Sequence, residues 1–340
     1  MSAPLPAIFG LEGLTVTDEE RAFFHDVKPY GFILFARNVA DRDQVRALVQ
    51  DLRENCGCAS ALVFIDQEGG RVQRLGPPHW PAYPPAAVFG ELACLDRNMG
   101  ARAAWLNARL IADDLYELGI QADCLPVLDL PAMGAHDIIG DRAFDPDPYI
   151  VAALGLAVCE GLMDGGVLPV LKHIPGHGRA TADSHEGLPQ VDTEASLLRH
   201  RDFVPFQGLS HMPFAMTAHI VYSVFDDRFP ATTSSRMIHD VIRDEIGFAG
   251  ALMSDDLNMK ALSGSLRERT RAAQQAGCDL ALHCSGDLDE MRDVAEALVP
   301  ASEASNARMA AALDPLALPK PMDRALIEAE RNALLLELEV

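Results

Sequence analysis

The sequence predicts a (β/α)8 barrel, and three observations point to it. Eight short apolar runs alternate with amphipathic helical patterns along residues 6–298. Polar and titratable side chains gather after nearly every run rather than at one crevice. No GxGxxG follows the first run, which counts against the alternative of an open doubly wound sheet.

The elements follow from period and punctuation. Residues 6–11 (AIFGLE) read as the first strand, and Thr17-Asp18-Glu19-Glu20 as the opening of a helix. GFILFARN (31–38) is the second strand, and Asp41-Arg42-Asp43 starts a helix carrying Val45, Leu48, Val49 and Leu52. ALVFIDQEGG (61–70) is the third, followed by a Pro-rich segment at 77–85 and a long helix over 97–118. DCLPVLDL (123–130) is the fourth, and a helix over 149–163 precedes the fifth at 167–171. FAMTAHIVY (214–222), ALMSDDL (251–257) and DLALHCS (279–285) complete the set. Helical patterns at 194–210, 235–246, 264–276 and 287–298 separate and follow them, and residues 302–338 form a charged helical tail. No linker or break in composition divides the chain, so residues 1–340 read as a single domain.

Composition narrows the function. The net charge of −22 argues against nucleic acid and against anionic membranes, both of which need clustered Lys and Arg. A small-molecule substrate is easier to reconcile with it. No run is long enough to cross a bilayer, and MSAPLPAIFGLEG lacks the basic region and apolar core of a signal peptide. The expected location is cytoplasmic. Seven scattered cysteines, with Cys56 and Cys58 the only close pair, fit reduced thiols rather than a disulfide or zinc framework. No apolar patch or coiled-coil seam is evident, and a monomer is expected.

The densest chemistry lies in LPVLKHIPGHGRATADSHEGLP (168–189), an apolar strand emptying into a Gly/Pro loop with Lys172, His173, His177, Asp183, His185 and Glu186. On a barrel it would share one mouth with Arg37 and Asn38, Asp66, Glu68, Arg71 and Arg74, Asp129 and Arg142. His219, Ser254-Asp255-Asp256 and His283 would join them. Three readings of these residues compete. A metal-dependent hydrolase would draw on His173, His177, His185, His219 and Asp255, but His173 and His177 lie in a Gly/Pro loop and no HxH occurs on a strand. A non-catalytic sugar-binding barrel would leave Asp-Ser-His and Ser-Asp-Asp without a special role. Glycoside hydrolysis needs a carboxylate on one face of the anomeric carbon and a proton donor on the other. Asp255 suits the first task, and His185, oriented by Asp183, suits the second.

DQEGGRVQRL (66–75), KHIPGHG (172–178) with DSH (183–185), and MSDDLNM (253–259) resemble the signatures of glycoside hydrolase family 3, in order across residues 6–290. Within it they are most similar to the bacterial cytoplasmic β-N-acetylglucosaminidases of peptidoglycan recycling. The resemblance implies a retaining exo-enzyme acting on a muropeptide-derived disaccharide, without cofactor or metal. It implies Asp255 as nucleophile, His185 as acid/base and Asp183 as its partner. Asp66, Arg74, Arg142, Lys172 and His173 would bind the sugar. Glu68 and Arg71 are expected to form a structural pair under the mouth, and His177 to brace the loop. Ile174 stands where relatives usually carry Phe, an apolar exchange. No further domain of the kind that supplies the acid/base in some relatives is expected, which fits a histidine on the barrel loop in that role, and a phosphorylase is the nearest alternative activity.

Overall fold

A computed structural model describes residues 4–132, 139–180, 184 and 187–338. Eight parallel strands form the barrel: β1 (Leu5–Gly10), β2 (Pro29–Leu34), β3 (Leu62–Ile65), β4 (Ala122–Asp123), β5 (Leu168–Ile174), β6 (Phe214–Thr217), β7 (Ala251–Met253) and β8 (Ala281–His283). Each pairs with its sequence neighbours, and β8 pairs with β1 through Ala7↔Ala281 and Phe9↔His283. The last seam, β7 to β8, is closed by the bridge Met253↔Leu280 and the bond from Ser254 N to the Leu280 carbonyl at 3.0 Å. The expected barrel is the observed one.

Alternation along the strands decides what faces where. Ile8, Ile33, Leu62, Phe64, Phe214, Met216, Ala251 and Met253 point into the barrel and pack on one another. Their neighbours Phe9, Phe32, Val63, Ile65, Ala215 and Leu252 point outward into the layer shared with the helices. The interior is therefore filled, with Phe64 and Phe214 edge to face at 5.8 Å between centroids. Tyr30 lies at its base and donates to the Met309 carbonyl at 2.9 Å. Met309 belongs to a helix at Glu303–Ala311 that plugs the amino-terminal end, so the start of the tail is part of the barrel's core.

The surrounding helices start where side chains satisfy their first amides. Asp18–Val27 (α1) has a Thr17/Glu20 capping box, and Leu266–Ala276 has one from Ser265 and Glu268. Arg42–Glu54 (α2) is capped by Asp41 and buries Val45, Leu48, Val49 and Leu52, as the pattern predicts.

Several elements depart from expectation, each for a local reason. The fourth strand is regular only over Ala122–Asp123, because Pro126 has no N–H to donate to the ladder. Val127↔Lys172 and the bond from Leu128 N to the Lys172 carbonyl carry the pairing on irregularly towards Asp129. The third strand ends at Ile65, and Gln67–Gly69 turns back antiparallel to Val72–Gln73 through Gly69 and Gly70, both at positive φ. A helix at Ala86–Leu95 was not anticipated, and the helix expected over 194–210 is two short ones, Ala195–His200 and Val204–Gly208. Buried Asp202 lies at the break, where it takes the Arg179 guanidinium at 2.8 Å. The tail likewise divides at Pro315, Pro319 and Pro321 before its second helix, Arg324–Leu335.

Candidate active site

At the carboxyl ends of the strands lies a pocket of about 310 Å³. Ile33, Met216 and Leu282 form its apolar floor, and Asp66, Glu68, Arg74, Arg142, Lys172, His173 and Asp255 line its walls. The structure thus brings every described residue expected to touch substrate into one cavity.

The hairpin after β3 supplies one wall. Gln67 holds it together: its side-chain oxygen accepts from the amides of Arg74 and Leu75, each at 3.0 Å, and its own amide donates to Asp123 at 2.9 Å. Folding back brings Arg74 Nη2 to 2.9 Å from Asp66 Oδ2. From β5, Lys172 reaches between two carboxylates, with Nζ 2.9 Å from Asp66 Oδ1 and 2.6 Å from Glu68 Oε1. Arg142 forks onto Glu68 at 2.8 and 2.9 Å.

Burial opposes the charges of Asp66, Glu68, Arg142 and Lys172, but the opposite charges outweigh it. Burial would raise the Asp66 and Glu68 carboxyls, yet Lys172 with Arg74 holds Asp66 well below the usual range, and Lys172 with Arg142 lowers Glu68. The two carboxylates in turn lift the Lys172 ammonium above its ordinary value despite desolvation.

The expected Glu68–Arg71 pair is not what forms. Glu68 faces the pocket and takes Arg142 and Lys172. Arg71, beyond the two-glycine turn, also lines the pocket but binds Asp141 at 3.1 Å and the Ile139 carbonyl at 3.0 Å. Sequence spacing could not reveal that the turn separates the two side chains.

Asp129, fully buried at the end of the fourth strand segment, organises the next wall. Its Oδ2 accepts from His173 Nδ1 at 2.7 Å, and its Oδ1 accepts from the amides of His173 at 3.2 Å and His177 at 2.6 Å. Burial works against its charge, but the His173 ring and these bonds hold its carboxyl down at about 2. His177 braces the loop as expected: its Nε2 lies 3.3 Å from Ser184 Oγ, and burial, with the neighbouring His173, pushes its pKa down to about 4. Tyr222 donates to the Gly176 carbonyl at 2.6 Å, and a Cβ at Gly178 would collide with the Leu130 carbonyl. Only glycine permits that approach. Asp183 and His185 lie outside the described residues. Ser184, between them, is buried, and its carbonyl accepts from Ala261 at 3.2 Å.

Strands β6 to β8 complete the rim. Asp255 lines the pocket, and its Oδ1 accepts from the Asp256 amide at 2.8 Å. Asp256 turns towards β8 and accepts from the amides of Cys284 and Asn258, each at 3.1 Å. Burial raises its pKa. His219 is committed at both ring nitrogens: Nε2 donates to the Asp256 carbonyl at 3.0 Å, and Nδ1 meets Thr232 Oγ1 at 2.7 Å. Burial lowers its pKa, so the neutral ring has no lone pair left for a metal.

Other residues grouped at the mouth in sequence are structural. Ser254 Oγ accepts from the Leu282 amide at 2.9 Å, and His283 binds Ser285 at 2.9 Å. Arg37 and Asn38 hold the Leu11 carbonyl, and Arg37 also holds that of Cys284. Among the described residues no cluster of three His, Cys, Asp or Glu is disposed to hold a metal ion, and no helix is long and apolar enough to cross a membrane.

Comparisons with known proteins agree with this geometry. The profile "Glycosyl hydrolase family 3 N terminal domain" matches residues 9–315. The chain is 40% identical over 287 residues to the β-hexosaminidase of Alkalilimnicola ehrlichii, covering 82% of this chain and 80% of that one. It is 35% identical over 310 residues to the β-hexosaminidase of Bordetella pertussis, covering 90% and 87%. Among solved structures, NagZ from Neisseria gonorrhoeae in complex with N-trifluoroacetyl-D-glucosamine superposes with a TM-score of 0.85 at 30% identity, covering 98% of this chain and 96% of that one. Motif order, barrel and pocket lead to one assignment: the chain belongs to glycosyl hydrolase family 3.

Proposed function

We propose that this protein is a retaining exo-β-N-acetylglucosaminidase that removes terminal N-acetylglucosamine from 1,6-anhydro-N-acetylmuramic acid, with or without attached peptide, in cytoplasmic peptidoglycan recycling. The observation that carries the catalytic reading is the placement of Asp255 on the pocket wall shared with Asp66, Lys172 and Arg142. The β-hexosaminidase names of the relatives and the glucosamine derivative in the NagZ complex support the sugar.

The reaction has two displacements. An oxygen of Asp255 attacks C1 of the sugar while the bond from C1 to the aglycone oxygen breaks, and His185 gives that oxygen its proton. A water then loses a proton to His185 and attacks C1, and the bond to Asp255 breaks. Two inversions give net retention. Asp183 orients His185. Asp66, Arg74, Arg142, Lys172 and His173 grip the sugar; ion pairs among Asp66, Arg74 and Lys172, that of Arg142 with Glu68, and the hydrogen bond of His173 to Asp129 fix the grip before substrate arrives. Neither a cofactor nor a metal takes part.

Hydrolysis of 4-nitrophenyl N-acetyl-β-D-glucosaminide, with and without EDTA and followed by NMR, tests the reading. The β-anomer released first, unaffected by chelator, is expected. Release abolished by EDTA would instead favour a metal-dependent hydrolase, and a sugar 1-phosphate formed in phosphate buffer would identify a phosphorylase.

A further inference from the structure

His173 presents two different nitrogens. Nδ1 is bound to Asp129 at 2.7 Å, whereas Nε2 makes no hydrogen bond among the described residues and belongs to a side chain lining the pocket. Asp129 is fully buried and is bound three ways: by the His173 ring, the His173 amide and the His177 amide. A carboxylate in that position can only accept, so the ring must donate from Nδ1. In a neutral ring, Nε2 is then a lone pair facing the cavity.

We propose that Asp129 is a positioning residue that keeps the His173 proton on Nδ1, so that Nε2 accepts from a substrate hydroxyl and selects for a donor at that ring position. The selection rests on the glycosidase reading; the tautomer does not. Lys172 Nζ, engaged by Asp66 and Glu68, can only donate. The adjacent pair therefore offers one donor and one acceptor, which neighbouring hydroxyls of one sugar ring satisfy, one accepting from Lys172 and the other donating to His173. Fluorine accepts weakly and cannot donate, and hydrogen does neither, so neither can replace a hydroxyl at Nε2.

The substitution Asp129→Asn isolates the effect. Its carbonyl can keep the bonds at Oδ1 to the two amides, while its NH2 replaces the acceptor at Oδ2. The ring proton should move to Nε2, turning the acceptor into a donor. Two readouts test this on the intact protein. The first is ¹⁵N NMR of histidine-labelled enzyme, with His173 assigned from His173→Gln. Protonated Nδ1 and bare Nε2 are expected in the wild type, and the reverse in Asp129→Asn. A proton on Nε2 of the wild type, whether as the other tautomer or as imidazolium, overturns the proposal.

The second readout compares kcat/KM for 3-, 4- and 6-deoxy aryl N-acetylglucosaminides with their deoxyfluoro counterparts. At one position the wild type should treat fluorine no better than hydrogen, and Asp129→Asn should prefer fluorine by roughly fivefold, the worth of one hydrogen bond. A merely structural Asp129 would leave the fluoro-to-deoxy ratio unchanged at all three positions, and that result overturns the proposal. If Asp129→Asn does not fold, the wild-type spectrum and the wild-type ratios decide. Absence of turnover by the wild type would sink the glycosidase reading and leave the tautomer to the NMR.

Discussion

Lys172 Nζ lies 2.6 Å from Glu68 Oε1, an ion pair whose side chains are 2% and 4% exposed. Its second carboxylate is Asp66 at 2.9 Å, so one ammonium joins the end of β3 and its hairpin to β5. Removing one partner from such a cluster leaves charge buried without compensation. Lys172→Ala should cost about 3 kcal/mol, the low end for a broken buried pair, because Arg74 and Arg142 remain. Urea unfolding measures that loss, and kcat/KM should fall with it.

Acidification should weaken the fold through His177. Its folded pKa, depressed by burial to about 4 from the ordinary 6.5, means that the unfolded chain binds a proton in this window and the native chain does not. Stability should therefore be fully present above 6.5 and fall as pH drops towards 4, by about 3 kcal/mol. Asp129 adds a second loss below its ordinary 3.8, as pH approaches about 2. Urea midpoints across pH 4–7 check the first window, and His177→Asn should flatten it.

The adjacent carboxylates of Ser-Asp-Asp should separate cleanly. Asp255→Ala should abolish turnover and leave the fold intact. Asp256→Ala strips acceptors from the amides of Cys284 and Asn258 and should cost about 1–3 kcal/mol. Circular dichroism melts beside turnover distinguish the two.

The acid/base assignment predicts a dependence on leaving group. His185→Ala should be slow mainly with substrates whose aglycone needs protonation, and much closer to wild type with a good leaving group. Equal losses for both classes, measured by steady-state kinetics, would count against His185 as the acid.

Inside the barrel, Phe214 packs on Phe64 and Tyr30 at the centre of the filled interior. Phe214→Ala should cost about 3–5 kcal/mol. Tyr30→Phe, which removes only the bond to Met309, should cost about 1 kcal/mol.

The barrel was legible because its signal is periodic: inward residues such as Ile8 and Phe64 alternate with outward ones such as Phe9 and Val63. The pocket was legible because a parallel barrel delivers every strand's carboxyl end to one rim. Pairings across the site were not. Whether Glu68 meets Arg71 or Arg142 depends on a two-glycine turn and a loop 71 residues further along the chain (139 against 68). Asp129 stood at the end of an apolar run with no local partner; its partners become visible only when β5 lies beside it. The plugging role of Met309 was hidden for the same reason, since a helical tail reads alike whether it packs or not.

The most direct test of double displacement at Asp255 is to trap the intermediate. Incubation with a fluorinated N-acetylglucosaminyl substrate that slows the second step, followed by intact-mass and peptide mass spectrometry, should show one sugar attached through an ester to Asp255. Asp255→Ala should carry none. Turnover with no covalent adduct, or an adduct on any other residue, would contradict the account.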